Sequence, residues 1–486
     1  MSSIKKNLSL QTAYQILSAC TPLITAPYLA RRLGAGQLGV FSYTTSIVTY
    51  FVMFAMLGTI NYGTRCIASA KGNRQNLNKV FSGIFWLQVI SSLISTMAYV
   101  IYLLVFCRDN QLIALLQGIA LLACFADINW LFFGVEEFHI TVTRSIIIKI
   151  ATVGLILLLV NKESDLWLYT VIMLGGTLLS NAILFFYLPR YVSFTRVSWK
   201  EIMEHLVPNL VLFVPLLAMS VYHTMDKTML GKLSTYEQSG FYYNSDKIVQ
   251  IPLLVINGIG TVMLPRMSAL LTENKQKEAD GLFLLTLEGV AVLGIAMACG
   301  IAAVAKEFIP FFFGAGYEPC IIITIVFTPL FLIKGWSIII RTQYLIPMQM
   351  EKEFTKSVVG GAIVNLVFNF MLIPLYGALG AAVATVIAEL IACILQFVSM
   401  KGRSLAFGSL FRKTGIYLAI GLLMIIVVRL TSLITINTIV KLFLEVLIGA
   451  ITYGVICLVF WKKSKSSFYE VFCTPVLGRL LRKVKK

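Results

Sequence analysis

About fourteen long apolar stretches follow one another between Leu8 and Phe460, and few of the loops between them exceed about 20 residues. A run of about 20 apolar residues spans the hydrocarbon core of a bilayer. Hydrophobic residues make up 58% of the 486 residues and charged residues 13%, against about 45–50% and about 25% in soluble domains. The sequence therefore predicts an all-α polytopic membrane protein with about 14 transmembrane helices, which leave no room for a soluble domain. The predicted spans include 111–134, 144–160 and 320–343.

The charge distribution predicts the orientation of these helices. The formal net charge is +18, and the basic residues are concentrated in alternate short loops and in the tail after Phe460. Because cytoplasmic loops carry an excess of Lys and Arg, both termini are expected in the cytoplasm, with anionic membrane lipids as neighbours. No RNP signature or zinc-finger spacing is present, so nucleic acid is not an expected partner. The nine cysteines form no C-x-x-C pair, and neither a disulfide framework nor a metal site is expected.

The chain contains an internal repeat. The motif that includes Gly39 and Phe41 is echoed about 200 residues later by one that includes Gly240 and Tyr242. Two six-helix halves followed by an extra helix pair would explain the offset. Transporters built from such parallel repeats bind substrate between the halves. The predicted domains are an N-lobe at 1–204, a C-lobe at 205–400, two extra helices at 401–461 and a basic cytoplasmic tail at 462–486.

Catalytic motifs are not found in the sequence. The Gly34-Ala35-Gly36 turn lacks the Lys-Ser or Lys-Thr of a phosphate-binding loop. The three histidines fall near predicted helix ends, and no H-E-x-x-H or G-x-S-x-G pattern occurs. A non-enzymatic protein without a cofactor is therefore expected, with proton or sodium coupling left open.

Ionisable residues inside the apolar runs are the main functional candidates. A charge at bilayer depth costs at least about 2.5–3.5 kcal/mol, so it should face a cavity or a partner. The carboxylates proposed for ion coupling or for a cavity are Asp127, Asp226, Glu288 and Glu389. The alternatives are snorkelling near a helix end or a structural ion pair between helices. Polar residues of the first helix, Gln11 and Gln15, are candidates for the cavity lining.

Four short motifs occur in order along nearly the whole chain. They run from Ala26 to Arg65, from Asn129 to Phe138, from Asp226 to Ile248 and from Asn365 to Ala382. In residue type and spacing they resemble motifs of the bacterial polysaccharide repeat-unit flippases, the O-antigen and capsule type. Those proteins belong to the multidrug/oligosaccharidyl-lipid/polysaccharide exporter superfamily.

The resemblance implies a substrate and a site. The substrate would be an oligosaccharide repeat unit on undecaprenyl diphosphate, moved from the inner to the outer leaflet of the bacterial cytoplasmic membrane. Polysaccharide polymerase and glycosyltransferases would be functional partners. The site would be a cationic cavity, because a diphosphate and acidic sugars need Arg and Lys partners. The candidate cations are Arg31, Arg65, Lys149, Lys227, Lys247, Lys334 and Arg341. The polar candidates taken from the motifs are Asn129, Asn365 and Asn369.

The first helix departs from a related family. Lipid II flippases resemble this chain from Arg31 to Gly36 but carry an Arg-Asp pair where Thr25 and Ala26 stand here. The departure argues against lipid II as substrate and means that cationic contacts come from other helices. A cation-coupled drug or small-molecule antiporter of the same superfamily and a lipid II flippase remain the alternatives. A membrane glycosyltransferase or polymerase is disfavoured because no large loop is present.

Overall fold

The computed structural model describes residues 2–400, 407–431, 437–464 and 469, and no β-strand occurs in these ranges. The helices of the first half are α1 (Ser2–Met56), α2 (Thr59–Ala70), α3 (Arg74–Val105), α4 (Gln111–Gln117), α5 (Ile119–Phe125), α6 (Asn129–Gly134), α7 (Phe138–Leu159), α8 (Leu166–Tyr187) and α9 (Trp199–Glu204). The remaining helices are α10 (Leu206–Leu233), α11 (Tyr236–Thr272), α12 (Gln276–Phe313), α13 (Pro319–Phe327), α14 (Leu330–Ile340), α15 (Glu351–Ser399), α16 (Phe407–Thr431) and α17 (Thr438–Lys463).

The lengths of these helices match a bilayer. Eleven helical segments of the described chain are long and apolar enough to cross a membrane, and a bent pair, 199–214 with 219–233, makes a twelfth. Large apolar side chains such as Leu104 and Phe186 are 80% and 84% exposed, as expected where the surrounding solvent is lipid. The expectation of an all-helical, multi-pass membrane protein is confirmed. The count of about fourteen spans stays a prediction.

Glycines interrupt the two longest helices. In α1, Gly34 has φ 73° and ψ 168°, and two helices meet there at a kink. In α15, Gly377 has φ 55° and ψ −128°, and again two helices meet. Only glycine adopts such positive φ angles without a steric cost. A further irregularity follows α14, where residues Arg341–Leu345 form a π-helix.

The chain divides into two compact units. The first unit comprises residues 1–243 and 369–378, and the second comprises 244–368 and 379–486. The division falls inside α11 and inside α15. The lobes expected at 1–204 and 205–400 remain predictions.

The core of the first unit is aromatic. Trp130 and Phe132 of α6 pack with Phe81 of α3, and all three side chains are fully buried. A Cβ atom at Gly63 would lie 2.7 Å from the Trp130 ring, so glycine at this position of α2 allows the indole to approach. Gln88 of α3 accepts a hydrogen bond from Trp130 Nε1 over 2.9 Å. The buried indole N–H therefore has a partner, as buried polar groups require.

A glycine-mediated helix crossing also lies in the first unit. A Cβ atom on Gly39 of α1 would overlap the carbonyl oxygen of Tyr236, and one on Gly240 of α11 would overlap the carbonyl oxygen of Ala35. The same sequence offset separates Gly39 from Gly240 and Ala35 from Tyr236. Residues that echo one another in the sequence therefore meet one another in the structure.

The second unit is built around α12, which packs against α13, α14, α16 and α17. Gly294 of α12 faces the backbone of Phe331 in α14, and Gly421 of α16 faces Cys299 of α12. The Tyr453 hydroxyl of α17 donates to the carbonyl oxygen of Val292 over 3.0 Å. Small residues and interhelical hydrogen bonds of this kind hold helices together in lipid, where the hydrophobic effect does not.

Candidate functional site

A polar network in the first unit surrounds Asp127, which lies in the break between α5 and α6. Its Oδ1 accepts hydrogen bonds from the backbone N–H of Asn129 over 3.0 Å and from Asn129 Nδ2 over 2.7 Å. Asn129 in turn accepts from Arg144 Nη2 over 2.9 Å and donates to Asn181 over 3.2 Å. Arg144 also donates to the carbonyl oxygen of Ser180. The Asp127 carboxylate and the Arg144 cation thus share one amide as a bridge.

A second carboxylate of the first unit, Asp226, accepts hydrogen bonds from two residues of the family-like motifs. Asp226 of α10 is 3% exposed. Its Oδ2 accepts from the Tyr242 hydroxyl over 2.6 Å, and its Oδ1 accepts from Asn369 Nδ2 over 2.6 Å. Lys227 lies 5.7 Å from the ring centre of Tyr243, in cation–π contact. Motif residues far apart in the sequence therefore converge on Asp226.

Lys149 of α7 faces the first half of α1. Its Nζ donates to Ser18 Oγ over 2.9 Å and lies 5.5 Å from the ring centre of Tyr14. Across the part of the chain that the structure describes, no carboxylate pairs with this ammonium group. Lys149 is therefore a half-buried cation, in a segment suited to the bilayer, that has no counter-ion among the described residues.

Lys334 and Glu389 form an ion pair within the second unit. Lys334 Nζ on α14 lies 3.0 Å from Glu389 Oε1 on α15, and the two side chains are 14% and 9% exposed. The sequence pointed to Lys334 as a substrate cation and to Glu389 as a coupling carboxylate. In the structure the two charges neutralise each other.

Glu288 of α12 binds the two C-terminal helices of the second unit. Its Oε2 lies 2.7 Å from Lys413 Nζ, and its Oε1 accepts from the Tyr417 hydroxyl over 2.7 Å. Trp461 Nε1 of α17 donates to the same hydroxyl over 3.0 Å. The geometry of Glu288 is that of the structural ion pair, the alternative that the sequence left open.

The remaining candidates are more scattered. In the first unit, Arg31 and Gln15 are exposed, and Arg65 is exposed on α2. In the second unit, Lys247 is half-buried and Asn365 is fully buried. Arg341 lies 5.7 Å from the Phe354 ring centre, and its Nε is buried without a hydrogen-bond partner. The side chain of Gln11 lies outside the described part of the structure. Within the described residues, no group of three or more His, Cys, Asp or Glu side chains could hold a metal ion.

A cavity of about 550 Å³ opens within the first unit. Arg65 lies on its wall, and so do Tyr62 and His205, whose side chains share a hydrogen bond of 2.8 Å between the hydroxyl and Nδ1. The sequence placed His205 near a helix end and gave it no role. The cavity could not be found from sequence because Tyr62 and His205 are 143 residues apart.

Sequence reasoning also missed the cations that complete the networks. Arg144 was not a candidate, because it stood at the first position of the predicted span 144–160, whereas α7 begins at Phe138 and buries Arg144 to 8% exposure. Lys413 was not a candidate either, and it lies inside α16, which begins at Phe407. A usable signal was the spacing of Lys413 and Tyr417, which puts both on one helical face.

Comparisons with known proteins match nearly the whole chain. A family model described as "Polysaccharide biosynthesis protein" matches residues 4–271, more than half of the chain. The chain belongs to the polysaccharide biosynthesis protein family. The resemblance of its motifs to polysaccharide repeat-unit flippases is thereby confirmed.

Curated relatives and a solved structure are similar to the chain beyond residue 271. A putative O-antigen transporter of Escherichia coli (strain K12) is 22% identical over 409 residues, covering 83% of this chain and 98% of that protein. A probable low-salt glycan biosynthesis flippase of Haloferax volcanii is 22% identical over 254 residues, covering 51% and 52%. The structure of lipid II flippase MurJ in an inward closed conformation aligns with a TM-score of 0.77 at 15% identity, covering 94% of this chain and 99% of that one. At this identity the likeness establishes the fold.

Proposed function

We propose that this family member is a flippase for undecaprenyl-diphosphate-linked oligosaccharide repeat units. It would move them from the inner to the outer leaflet of the bacterial cytoplasmic membrane for the synthesis of capsule, O-antigen or exopolysaccharide. The support from comparison is the names of the relatives, "Putative O-antigen transporter" and "Probable low-salt glycan biosynthesis flippase". Polar sugars cannot cross hydrocarbon unaided because desolvating their hydroxyls is too costly, so such substrates need a protein path.

Lys149 is the observation that carries the proposal. A membrane-embedded cation must have a counter-charge or face water. In the described structure the hydrogen bond and the cation–π contact of Lys149 go to the neutral side chains of Ser18 and Tyr14. Lys334 and Lys413 have carboxylate partners. A diphosphate would supply the missing anion and accept charge-assisted hydrogen bonds from the ammonium group.

Fourteen membrane crossings would fit this function. The segments Cys20–Ala70 and Glu351–Ser399 contain 51 and 49 residues. As straight helices they would be about 75 Å long at 1.5 Å per residue, more than twice the hydrocarbon thickness of about 30 Å. If each crosses twice, with Gly34 and Gly377 at the turns, the twelve segments become fourteen. An even number places both termini on one side, which the positive charges predict to be the cytoplasm.

The proposed mechanism is alternating access. The anionic head group would bind while the site is open to the cytoplasm and leave after it opens to the outside, with the lipid tail remaining in the bilayer. Membrane potential would favour this direction, since moving one charge across 100 mV is worth about 2.3 kcal/mol. Asp127 and Asp226 are the carboxylates proposed for coupling to protons or sodium.

The proposal is tested in a strain from which the gene is deleted. Lipid-linked repeat units should accumulate on the cytoplasmic leaflet, and surface polymer should be lost until the wild-type gene is restored. Normal surface polymer in the deletion strain would refute the function.

Complementation with variants then tests the site. Lys149→Gln should lower the export rate at least about tenfold, equivalent to about 1.4 kcal/mol, whereas Lys149→Arg should retain most of it. Lys162→Gln is the matched control, because it removes one positive charge from an exposed position just after α7. Full export by Lys149→Gln at equal protein abundance would show that Lys149 does not bind the head group.

A further inference from the structure

The cavity of the first unit combines two chemistries. Its lining includes the guanidinium group of Arg65 and the side-chain amide of Asn76, beside the hydrogen-bonded pair of Tyr62 and His205. The Ser69 hydroxyl, also in the lining, donates to the carbonyl oxygen of Arg65. None of the described residues that line it is acidic. A set of donors with a guanidinium group and no carboxylate favours an anion that offers several acceptor oxygens.

The rest of the cavity wall is apolar. Val80 of α3 and Pro208, Val211 and Leu212 of α10 form this part. The volume of about 550 Å³ falls within the range of about 300–1,000 Å³ that is usual for small-molecule sites. An inorganic anion would leave this apolar surface unused, whereas an amphiphile with an anionic head would cover both parts.

The position of the imidazole is set by its neighbours. His205 Nδ1 shares a hydrogen bond with the Tyr62 hydroxyl over 2.8 Å. A Cβ atom on Gly83 would lie 2.8 Å from His205 Nε2, so glycine in α3 makes room for the ring. The side chains of Tyr62 and His205 are therefore already fixed in place before a ligand binds. This lowers the conformational entropy that is lost on binding.

Arg65 is the guanidinium-bearing residue of the cavity wall. Lys71 pairs with Glu136 over 3.1 Å, and Lys79 lies 3.8 Å from Glu201. No carboxylate of the described chain pairs with Arg65. Its guanidinium group can therefore form a bidentate contact with a phosphate.

We propose that this cavity is a binding site for a lipid with a phosphate head, in which Arg65 contacts the phosphate oxygens and the α10 wall contacts the first part of the hydrocarbon chain. Lys149 of α7 is not part of the lining of this site. The ligand proposed for the site rests on the proposed function. The same chemistry occurs in an isoprenoid diphosphate and in an anionic phospholipid. The loop after α2 is flanked by Lys71 and Arg74, which predict that it is cytoplasmic. The site would therefore select lipids of the inner leaflet.

Cys66 provides a direct probe, because its half-buried thiol lines the cavity next to Arg65. The full-length protein, in nanodiscs of phosphatidylcholine, is treated with N-ethylmaleimide, and modification is followed peptide by peptide by mass spectrometry. Farnesyl diphosphate should slow the alkylation of Cys66 at least fivefold, whereas farnesol should not. Cys20, which is exposed on α1, reports any general effect on the nanodisc.

The second arm of the experiment distinguishes the two sources of phosphate. Nanodiscs containing phosphatidylglycerol should give the same protection without farnesyl diphosphate if a phospholipid is the ligand, and none if the site requires a diphosphate. Arg65→Gln should abolish protection and Arg65→Lys should retain part of it, with unchanged melting temperatures for both. Equal alkylation of Cys66 under all conditions, or full protection in Arg65→Gln, would overturn the proposal.

This readout is independent of transport. Absence of protection in a protein that still exports repeat units would refute the cavity site and leave the proposed function standing. Protection in a protein whose deletion leaves surface polymer intact would refute the function and leave the lipid site standing.

Discussion

The ammonium group of Lys413 lies 2.7 Å from the carboxylate of Glu288. This contact joins α16 to α12, and Tyr417 and Trp461 extend it to α17. A similar cluster occurs further along α12, where Glu307 lies 2.9 Å from Arg429 and 3.6 Å from Lys441. Two carboxylates of one helix thus attach the two C-terminal helices at separate points.

Exchange of the two charges tests the attachment at Glu288. Glu288→Gln should destabilise the protein because Lys413 loses its partner. Breaking a fully buried ion pair costs about 3–5 kcal/mol. The cost should be smaller here, since the Lys413 side chain is 27% exposed. Glu288→Lys combined with Lys413→Glu should recover much of the loss. Melting temperatures in detergent, followed by tryptophan fluorescence, would measure both. Additive effects in the exchanged double variant would contradict a direct pair.

The ion pair of Lys334 and Glu389 predicts strong coupling between two positions. Lys334→Met and Glu389→Met should each lower the melting temperature, because each leaves one charge uncompensated at low exposure. The double variant should be more stable than either single variant, since buried pairs can often be replaced by apolar residues without loss. A double-mutant cycle measures the coupling. A double variant less stable than both single variants would show that each charge has a different partner.

The crossing of α1 and α11 predicts that alanine substitutions at two glycines of α1 will have very different effects on stability. Gly39→Ala should destabilise the protein by about 1–3 kcal/mol, because the added methyl group overlaps the Tyr236 carbonyl and the helices must separate. Gly36→Ala is the control, since nothing lies within 4 Å of the added atom. It should be neutral or slightly stabilising, as alanine favours helix. Equal melting temperatures for the two variants would contradict the close crossing.

Gln88 supports the break that contains Asp127. Its Nε2 donates to the carbonyl oxygens of Cys124 over 2.6 Å and of Asp127 over 2.9 Å, while its Oε1 accepts from Trp130. Gln88→Leu leaves these groups without partners, at about 1–3 kcal/mol each. We expect a loss of at least about 3 kcal/mol in the free energy of unfolding.

The control for this prediction is Gln111→Leu, because Gln111 is exposed and makes one hydrogen bond, to Cys107. Chemical denaturation in detergent would compare the two variants. A loss no larger for Gln88→Leu than for Gln111→Leu would show that the break does not depend on these hydrogen bonds.

The helical membrane fold was predictable because each apolar run can be recognised from its own residues. The ends of the helices and the breaks within them were harder to predict. The expected span 111–134 is divided into α4, α5 and α6, and the break before α6 depends on hydrogen bonds from Gln88, which lies on another helix. The span expected at 144 begins at Phe138, because polar residues such as Thr141 dilute the apolar signal although they are buried.

The charged residues of the candidate site could be predicted from the sequence, but the ion pairs that they form could not. A charge within an apolar run is visible in the sequence, so Glu288, Lys334 and Glu389 were identified. Their partners were not, because Glu288 and Lys413 are 125 residues apart. Without its partner, a structural carboxylate cannot be distinguished from a transport carboxylate.

The crossing at Gly39 and Gly240 is self-complementary, with each glycine receiving the backbone of the other repeat. Two separate copies of a half-length protein, related by a twofold axis, would form the same contact. In a single chain the two contacting residues need not be identical, and Tyr236 stands at the position that corresponds to Ala35. The two glycines differ in this respect, because a side chain at either position would push α1 and α11 apart.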